Sequence, residues 1–167
     1  SREGEQLLKW YTGTIIAEHI STKEACDFVK SYDNVYATVT PQHLLFTNDA
    51  IYHKMKIVDD WFEPEVTMAL HPSAICAPVL KPIEDLEAIW NIIVWQHKNH
   101  AKKVFLGDDT ARHPSERKYK EGCACGVFNS PLSLEMYFMG FKYIDDHILK
   151  GVLSSFQNFA SNIGLEV

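Results

Sequence analysis

A short apolar run, Val104-Phe105-Leu106, is followed at once by Gly107, by two carboxylates, Asp108 and Asp109, and then by His113. Carboxylates and an imidazole in close order are the groups proteins use to move protons and to hold divalent metals. The apolar run has the length and composition of a buried strand, and Gly107 lets the backbone turn at its end. Asp108 and Asp109 would then stand at the carboxyl end of a strand, where α/β folds place their chemistry. A plainer role is open to either one, because an aspartate after a strand also caps the next turn. Far upstream, Thr14 to Ala17 reads as a second buried strand, followed by Glu18 and His19. If the two strands are parallel, His19 and Asp109 converge on one mouth of the fold. Neutral imidazole plus carboxylate suits a divalent metal such as zinc. A lone histidine at a strand end can equally be a hydrogen-bonded structural residue. His113, just before Pro114, is either a third polar group on the same rim, suited to an anionic ligand, or a surface histidine in a turn.

Cysteine chemistry is a weaker prospect. Cys123 and Cys125, between Gly122 and Gly126, could form an exposed thiolate loop or half of a zinc site. The first reading finds no particular histidine as partner, and the second finds no partner spacing in Cys26 or Cys76. The two glycines fit better as hinges that bring main-chain N–H groups near a ligand. Four cysteines without the spacing of a secreted disulfide scaffold point to reduced thiols in the cytoplasm.

The elements that must position these groups alternate. Leu7, Leu8 and Trp10 look like the end of a helix broken near Gly13. After the strand at 14–17, Ser21 or Thr22 can cap a helix through Lys30, with Glu24 in its first turn. Val35 to Thr40 is β-branched and aromatic enough for a strand ended by Pro41. Ala74 to Leu80 is a third apolar run, made irregular by Pro78. Pro82 to Asn99 is the clearest helix, with Leu86, Ile89, Trp90, Ile93 and His97 on one face. It leads into a strand over 103–106. Ser130 and Pro131 suit the start of a helix through about Phe141, and Asp145 or Asp146 could cap a last helical region ending near Gly164. The stretch at about 46–70 is too long for a plain connection and reads as an insertion, either a lid or interface or a mobile surface loop.

Strand, helix, strand, helix means parallel βα units. Only three or four strands are available, whereas a closed parallel barrel needs eight. The expected architecture is therefore one domain over 1–167 that forms the C-terminal part of a (β/α)₈ barrel. A net charge of −6, with no basic stripe, argues against nucleic acid as a partner. No apolar run is long enough to span a bilayer, and no signal peptide opens the chain. An apolar content of 46% and a charged content of 23% fit an ordinary globular protein.

Several blocks taken together resemble a known family. They are Ala17-Glu18-His19-Ile20-Ser21-Thr22-Lys23-Glu24-Ala25, Ala37-Thr38-Val39-Thr40-Pro41-Gln42-His43-Leu44 and Cys76-Ala77-Pro78-Val79-Leu80-Lys81. Val104 to Asp109, His113, Arg117-Lys118, Cys123-Ala124-Cys125 and Phe128-Asn129 complete the set. In this order they resemble the dihydroorotases of the bacterial single-function type, zinc-dependent amidohydrolase barrels that interconvert N-carbamoyl-L-aspartate and L-dihydroorotate. The resemblance implies that His19 ends the sixth barrel strand and ligates one of two zinc ions. It implies that Asp109 follows the eighth strand, ligates the other zinc and serves as general base and acid. His113 would contact the substrate carboxylate, while Ala77 and Gly126 would meet the substrate through their backbones. Ala77 stands where the family usually has leucine, and Gly126 where it has alanine. The family's His-x-His, its bridging lysine and its fifth-strand histidine have no counterpart here. The isolated chain is therefore expected to be inactive, and active only when completed by an N-terminal half. Homodimers are common in the family.

Two other classes compete. A non-catalytic barrel relative acting as scaffold or partner would also lack the missing ligands. A self-processing domain of the Hint type is suggested by the Thr40-x-x-His43 block, but such domains need a nucleophile at their first residue. Ser1 here sits in a helical context, and no C-terminal His-Asn junction is present. In the dihydroorotase reading His43 is structural.

Overall fold

The structure is a computed structural model that describes residue 6, residues 8–56 and residues 66–141. Its centre is a three-stranded parallel sheet: β1 (Ile15–Ala17), β2 (Val35–Val39) and β5 (Val104–Leu106), in the order β1-β2-β5. Ile15 pairs with Val35 and Ala37 with Val104, so all three strands end on the same edge. Two right-sized helices, α1 (Lys23–Ser31) and α3 (Ile83–Lys98), make the crossovers and pack on each other.

Local sequence explains where these elements start. Thr22 caps α1 by accepting a bond from the Ala25 N–H at 3.2 Å, with Glu24 in the first turn and Lys30 in the last, matching the helix dipole. Glu84 and Asp85 open α3, and Asp85 reaches out to the Lys23 N–H at 2.9 Å, so the two helix starts are tied together. On β2, Val35, Ala37 and Val39 are buried while Tyr36 and Thr38 are less so, the period-two signature of a strand with unlike faces. The buried face meets Cys26 and Val29 of α1 and Ile89, Ile92 and Ile93 of α3, forming the core.

Three expectations are corrected. The first strand is half-buried rather than buried, since Ile16, on the face away from the helices, is 41% exposed. On α3 the innermost polar residue is Gln96, not His97. Gln96 accepts from the Lys103 N–H at 2.8 Å and the Val104 N–H at 2.6 Å, and donates to the Val104 carbonyl at 2.8 Å. It thereby satisfies backbone groups at the start of β5. The run 74–80 carries no strand; a 3-10 turn at Pro72–Ala74 leads into an irregular loop.

The rest of the rim is built from short elements. Helix α2 (Pro41–Leu45) follows β2 directly, with proline at its first position. Strands β3 (Tyr52–Lys56) and β4 (Val66–Leu70) pair antiparallel as a separate two-stranded sheet within the 46–70 stretch. Helix α4 (Ser115–Lys118) and helix α5 (Ser133–Phe141) follow β5, the latter preceded by a 3-10 turn at Ser130–Leu132. The single Tyr137 hydroxyl proton on α5 is shared between the carbonyls of Val39 and Gly107, pinning α5 beneath the ends of β2 and β5. Leu7, the segment 57–65 and the expected last helical region lie outside the described residues. No described helix is long and apolar enough to cross a membrane.

Candidate active site

His19 follows β1 by two residues and Asp109 follows β5 by three, so both stand on the carboxyl edge of the parallel sheet. Each has left-handed backbone, φ 41° at His19 and 46° at Asp109, a conformation that disfavours residues with a Cβ. Thr38, on β2 between them, explains how the two turns are held. Its hydroxyl accepts the His19 N–H at 2.6 Å, and its side chain packs so closely on Gly107 that a Cβ there would lie 3.0 Å from Thr38 Cβ. Gly107 is thus favoured by a close approach to Thr38.

The two aspartates divide the roles left open by the sequence. Asp108 accepts the Ser133 hydroxyl, which binds it to the start of α5, and its charge adds to the burial that raises the Tyr137 pKa. Asp109 is exposed at the rim and takes a long contact, 3.5 Å, from the Gln42 side-chain amide. Gln42 is itself buried and accepts from Asn129 Nδ2 at 2.7 Å, while Asn129 Oδ1 accepts from Thr110 at 2.7 Å. A chain of buried amides therefore backs Asp109 from α2 to the start of α5. Neither Gln42 nor Asn129 stood out from the sequence by type. Their signal was position: Gln42 lies three residues past β2, on the edge that holds the other polar groups.

His43 sits behind this rim. Its Nε2 donates to the Pro78 carbonyl at 2.9 Å, and Nδ1 of the neutral ring accepts from Thr40 at 2.7 Å. Burial lowers its pKa below the usual histidine value, with the nearby His19 adding to the effect and Asp109 opposing it. Both ring nitrogens are satisfied, so His43 is a structural residue. Cys76 packs against it, and burial raises that thiol's pKa.

His113 and Gly126 come together at a neighbouring pocket of about 300 Å³, also lined by Ser73, Lys118 and Phe128. His113 Nε2 lies 2.7 Å from the Cys125 carbonyl. Gly126 has φ 139°, and an added Cβ would fall 2.3 Å from Ala111 Cβ and 3.2 Å from His113 Nε2. The alanine usual in the family therefore has no room here. A second, more apolar pocket of about 330 Å³, containing Gln42, His71 and Leu80, shares Ser73 and Val127 with the first. Ala77 is exposed on its loop and lines neither pocket.

A metal would find two donors on this rim. His19 Nδ1 is buried with no hydrogen-bond partner, which leaves an imidazole nitrogen open to an electrophile, and the Asp109 carboxylate is mostly uncommitted. This donor chemistry fits zinc. Among the described residues no group of three or more His, Cys, Asp or Glu is placed to hold an ion, so the two donors fit as a part of a site.

No family model matches the chain. The dihydroorotase of Shewanella halifaxensis is 36% identical over 149 residues, which is 88% of this chain and 36% of that protein. The crystal structure of dihydroorotase from Campylobacter jejuni matches with a TM-score of 0.73 at 31% identity, covering 99% of this chain and 43% of that one. Dihydroorotase from Saccharomyces cerevisiae, solved in complex with 5-fluoroorotic acid, matches with a TM-score of 0.64 at 26% identity, over 86% of this chain and 37% of that one. The chain thus spans well under half the length of each of these relatives. In sequence and in fold, then, the chain belongs with the dihydroorotases, as a portion of their parallel α/β barrel.

Proposed function

We propose that this chain supplies one side of a cyclic amide hydrolase site, which in the complete polypeptide interconverts N-carbamoyl-L-aspartate and L-dihydroorotate. The observation that carries the reading is the placing of His19 and Asp109 beyond β1 and β5, the two parallel strands that flank β2, each in a left-handed turn. Such turns cost stability and persist where the surroundings over-determine them, often at functional sites.

Zinc, held on this side by His19 and Asp109, would polarise the ring carbonyl and make water nucleophilic at neutral pH. The chain's own residues do the rest. The Asp109 carboxylate takes a proton from the attacking water and returns it to the departing ring nitrogen. Gln42 steadies that carboxylate on its inner side, and Thr38 holds the His19 turn against β2. His113 faces the substrate carboxylate from the adjoining pocket, with the backbones of Gly126 and Ala77 as further contacts. Ring closure runs the same path in reverse. The substrate is a small molecule, and the free cysteines fit a cytoplasmic enzyme. A homodimer is the assembly we propose.

Two donors are too few to hold two zinc ions, so this chain alone is expected to bind zinc weakly and to leave dihydroorotate intact. Joined to an N-terminal half carrying the remaining ligands, it should bind two zinc ions and hydrolyse dihydroorotate. Metal content by mass spectrometry and an ultraviolet assay of ring opening test both states. Full activity of the chain alone, or none in the completed protein, would overturn the proposal. The second outcome would favour a scaffold role, for which the two-donor rim is the supporting observation.

A further inference from the structure

Lys118, on the four-residue helix α4, is only 8% exposed, an unusual place for an ammonium. Its Nζ donates to three main-chain carbonyls: Ile75 at 2.9 Å, Ala124 at 2.9 Å and Gly126 at 2.7 Å. A neutral amine has two N–H donors, so three carbonyl acceptors call for the charged form, with every donor committed. The ion pair found among the described residues is Lys30–Asp27, and Lys118 meets carbonyl oxygens rather than a carboxylate. A buried charge without a counter-ion is costly, so packing alone does not account for a lysine here.

The identity of the acceptors gives a reason. Ala124 and Gly126 flank Cys125. Their carbonyls turn to Lys118, while the Cys125 carbonyl between them turns the other way and receives His113 Nε2 at 2.7 Å. The Ile75 carbonyl takes both Lys118 and the Gly126 N–H, the latter at 2.9 Å, which locks the 72–80 loop to the same segment. We propose that Lys118 is a positioning residue acting through His113. By fixing the carbonyls on both sides of Cys125, it aims the one between them at the imidazole. Because a carbonyl only accepts, the neutral ring must then carry its proton on Nε2, and Nδ1 is the nitrogen left for a ligand in the 300 Å³ pocket. Only the effect on substrate rests on the function proposed above; the effect on the ring stands without it.

Nitrogen-15 NMR of the full chain at about pH 8, where an ordinary histidine is neutral, reads the ring directly. Unsubstituted protein should show His113 as the Nε2–H tautomer and slowly exchanging Lys118 ammonium protons. In Lys118→Met, which lies outside the hydrophobic core and should fold by circular dichroism, His113 should lose its single tautomer. Its ring proton should exchange about tenfold faster or more, as expected when a local closed state is opened. A folded Lys118→Met with an unchanged His113 signature overturns the proposal. If that variant does not fold, the unsubstituted chain decides, since a freely exchanging Lys118 or an Nδ1–H tautomer at His113 also overturns it. In the completed enzyme the substitution should raise KM for dihydroorotate about tenfold with kcat changed by less than about threefold, the pattern of lost ground-state binding. A completed enzyme that ignores dihydroorotate would refute the proposed function, while the ring measurement would still decide the role of Lys118.

Discussion

Replacing Gln96 with methionine is a sharp test of how the site-bearing strand is held. Methionine keeps the length and much of the shape of glutamine, so the change reads the amide rather than the volume. In the folded chain the amide makes three hydrogen bonds to backbone at Lys103 and Val104, at 2.6–2.8 Å, from a side chain 3% exposed. At about 1 kcal/mol net for each, their loss costs roughly 3 kcal/mol. The thioether returns about 1 kcal/mol through its more favourable burial. The expected net destabilisation is about 2 kcal/mol, and for a domain of this size that lowers the midpoint of thermal unfolding by roughly 4–8 °C. Urea denaturation followed by circular dichroism should show a lower midpoint with an unchanged slope. The effect should also reach the site, because Val104 to Leu106 leads straight to Gly107 and Asp109. Hydrogen exchange at the Gly107 amide, which bonds to the Val39 carbonyl at 2.7 Å, should quicken by the same free energy. A methionine variant within about 0.5 kcal/mol of the unsubstituted chain would refute the reasoning, since surface substitutions alone have effects of that size.

Gly126→Ala should destabilise by roughly 2–4 kcal/mol, the sum of overpacking against Ala111 and a side chain forced into left-handed backbone. A drop in the urea midpoint checks this, and an alanine tolerated at no cost would show that the 122–126 loop is placed differently. His43 predicts a dependence on pH. Burial holds its folded pKa below 6.5, so the unfolded chain takes up the proton first as pH falls. Its contribution to stability is complete above about 6.5 and is lost as pH falls from there through the folded value. His43→Gln should flatten that part of the plot of stability against pH, and a slope unchanged by the substitution would sink the assignment. Asp109→Asn should leave the urea midpoint within about 0.5 kcal/mol, because Asp109 is exposed and lightly bonded, while reducing ring opening in the completed enzyme about a hundredfold or more.

Much of this fold was legible because its signals are local. Thr22 with Glu24, Pro41 after a β-branched run, and the apolar face of 83–98 each announce a boundary or a period, and each element lies within a residue or two of its expected place. What misled was burial. Ile16 is as apolar as its neighbours, yet it lies on the sheet face turned from the helices, and no pattern within three residues reveals which face is covered. His97 and Gln96 differ by one position on a helix, a rotation of about 100°. The polar residue chosen for the core was decided by the backbone groups at Lys103 and Val104, which lie beyond the helix itself. The same holds for the candidate site. His19 and Asp109 are visible as residue types at strand ends, but Gln42 matters through Asn129 and Asp109, 87 and 67 positions away, and Lys118 through Ile75, 43 positions away. The apolar run at 74–80 looked like a strand in composition, and its backbone is instead spent on loop contacts with Lys118 and Gly126.

The left-handed backbone at His19 and Asp109 sets stability against chemistry at the two positions proposed to hold the metal. For an L-residue that conformation costs about 1–2 kcal/mol, and glycine removes the cost. A library screened only for heat resistance would therefore drift toward glycine at 19 and 109, and would purge the site while improving the scaffold. His100 supplies the internal control. Its φ is 51°, it caps no strand on the carboxyl edge, and glycine there should give the same gain with nothing forfeited. Comparing the three glycine variants in one denaturation series would separate what the fold prefers at these turns from what function has kept there.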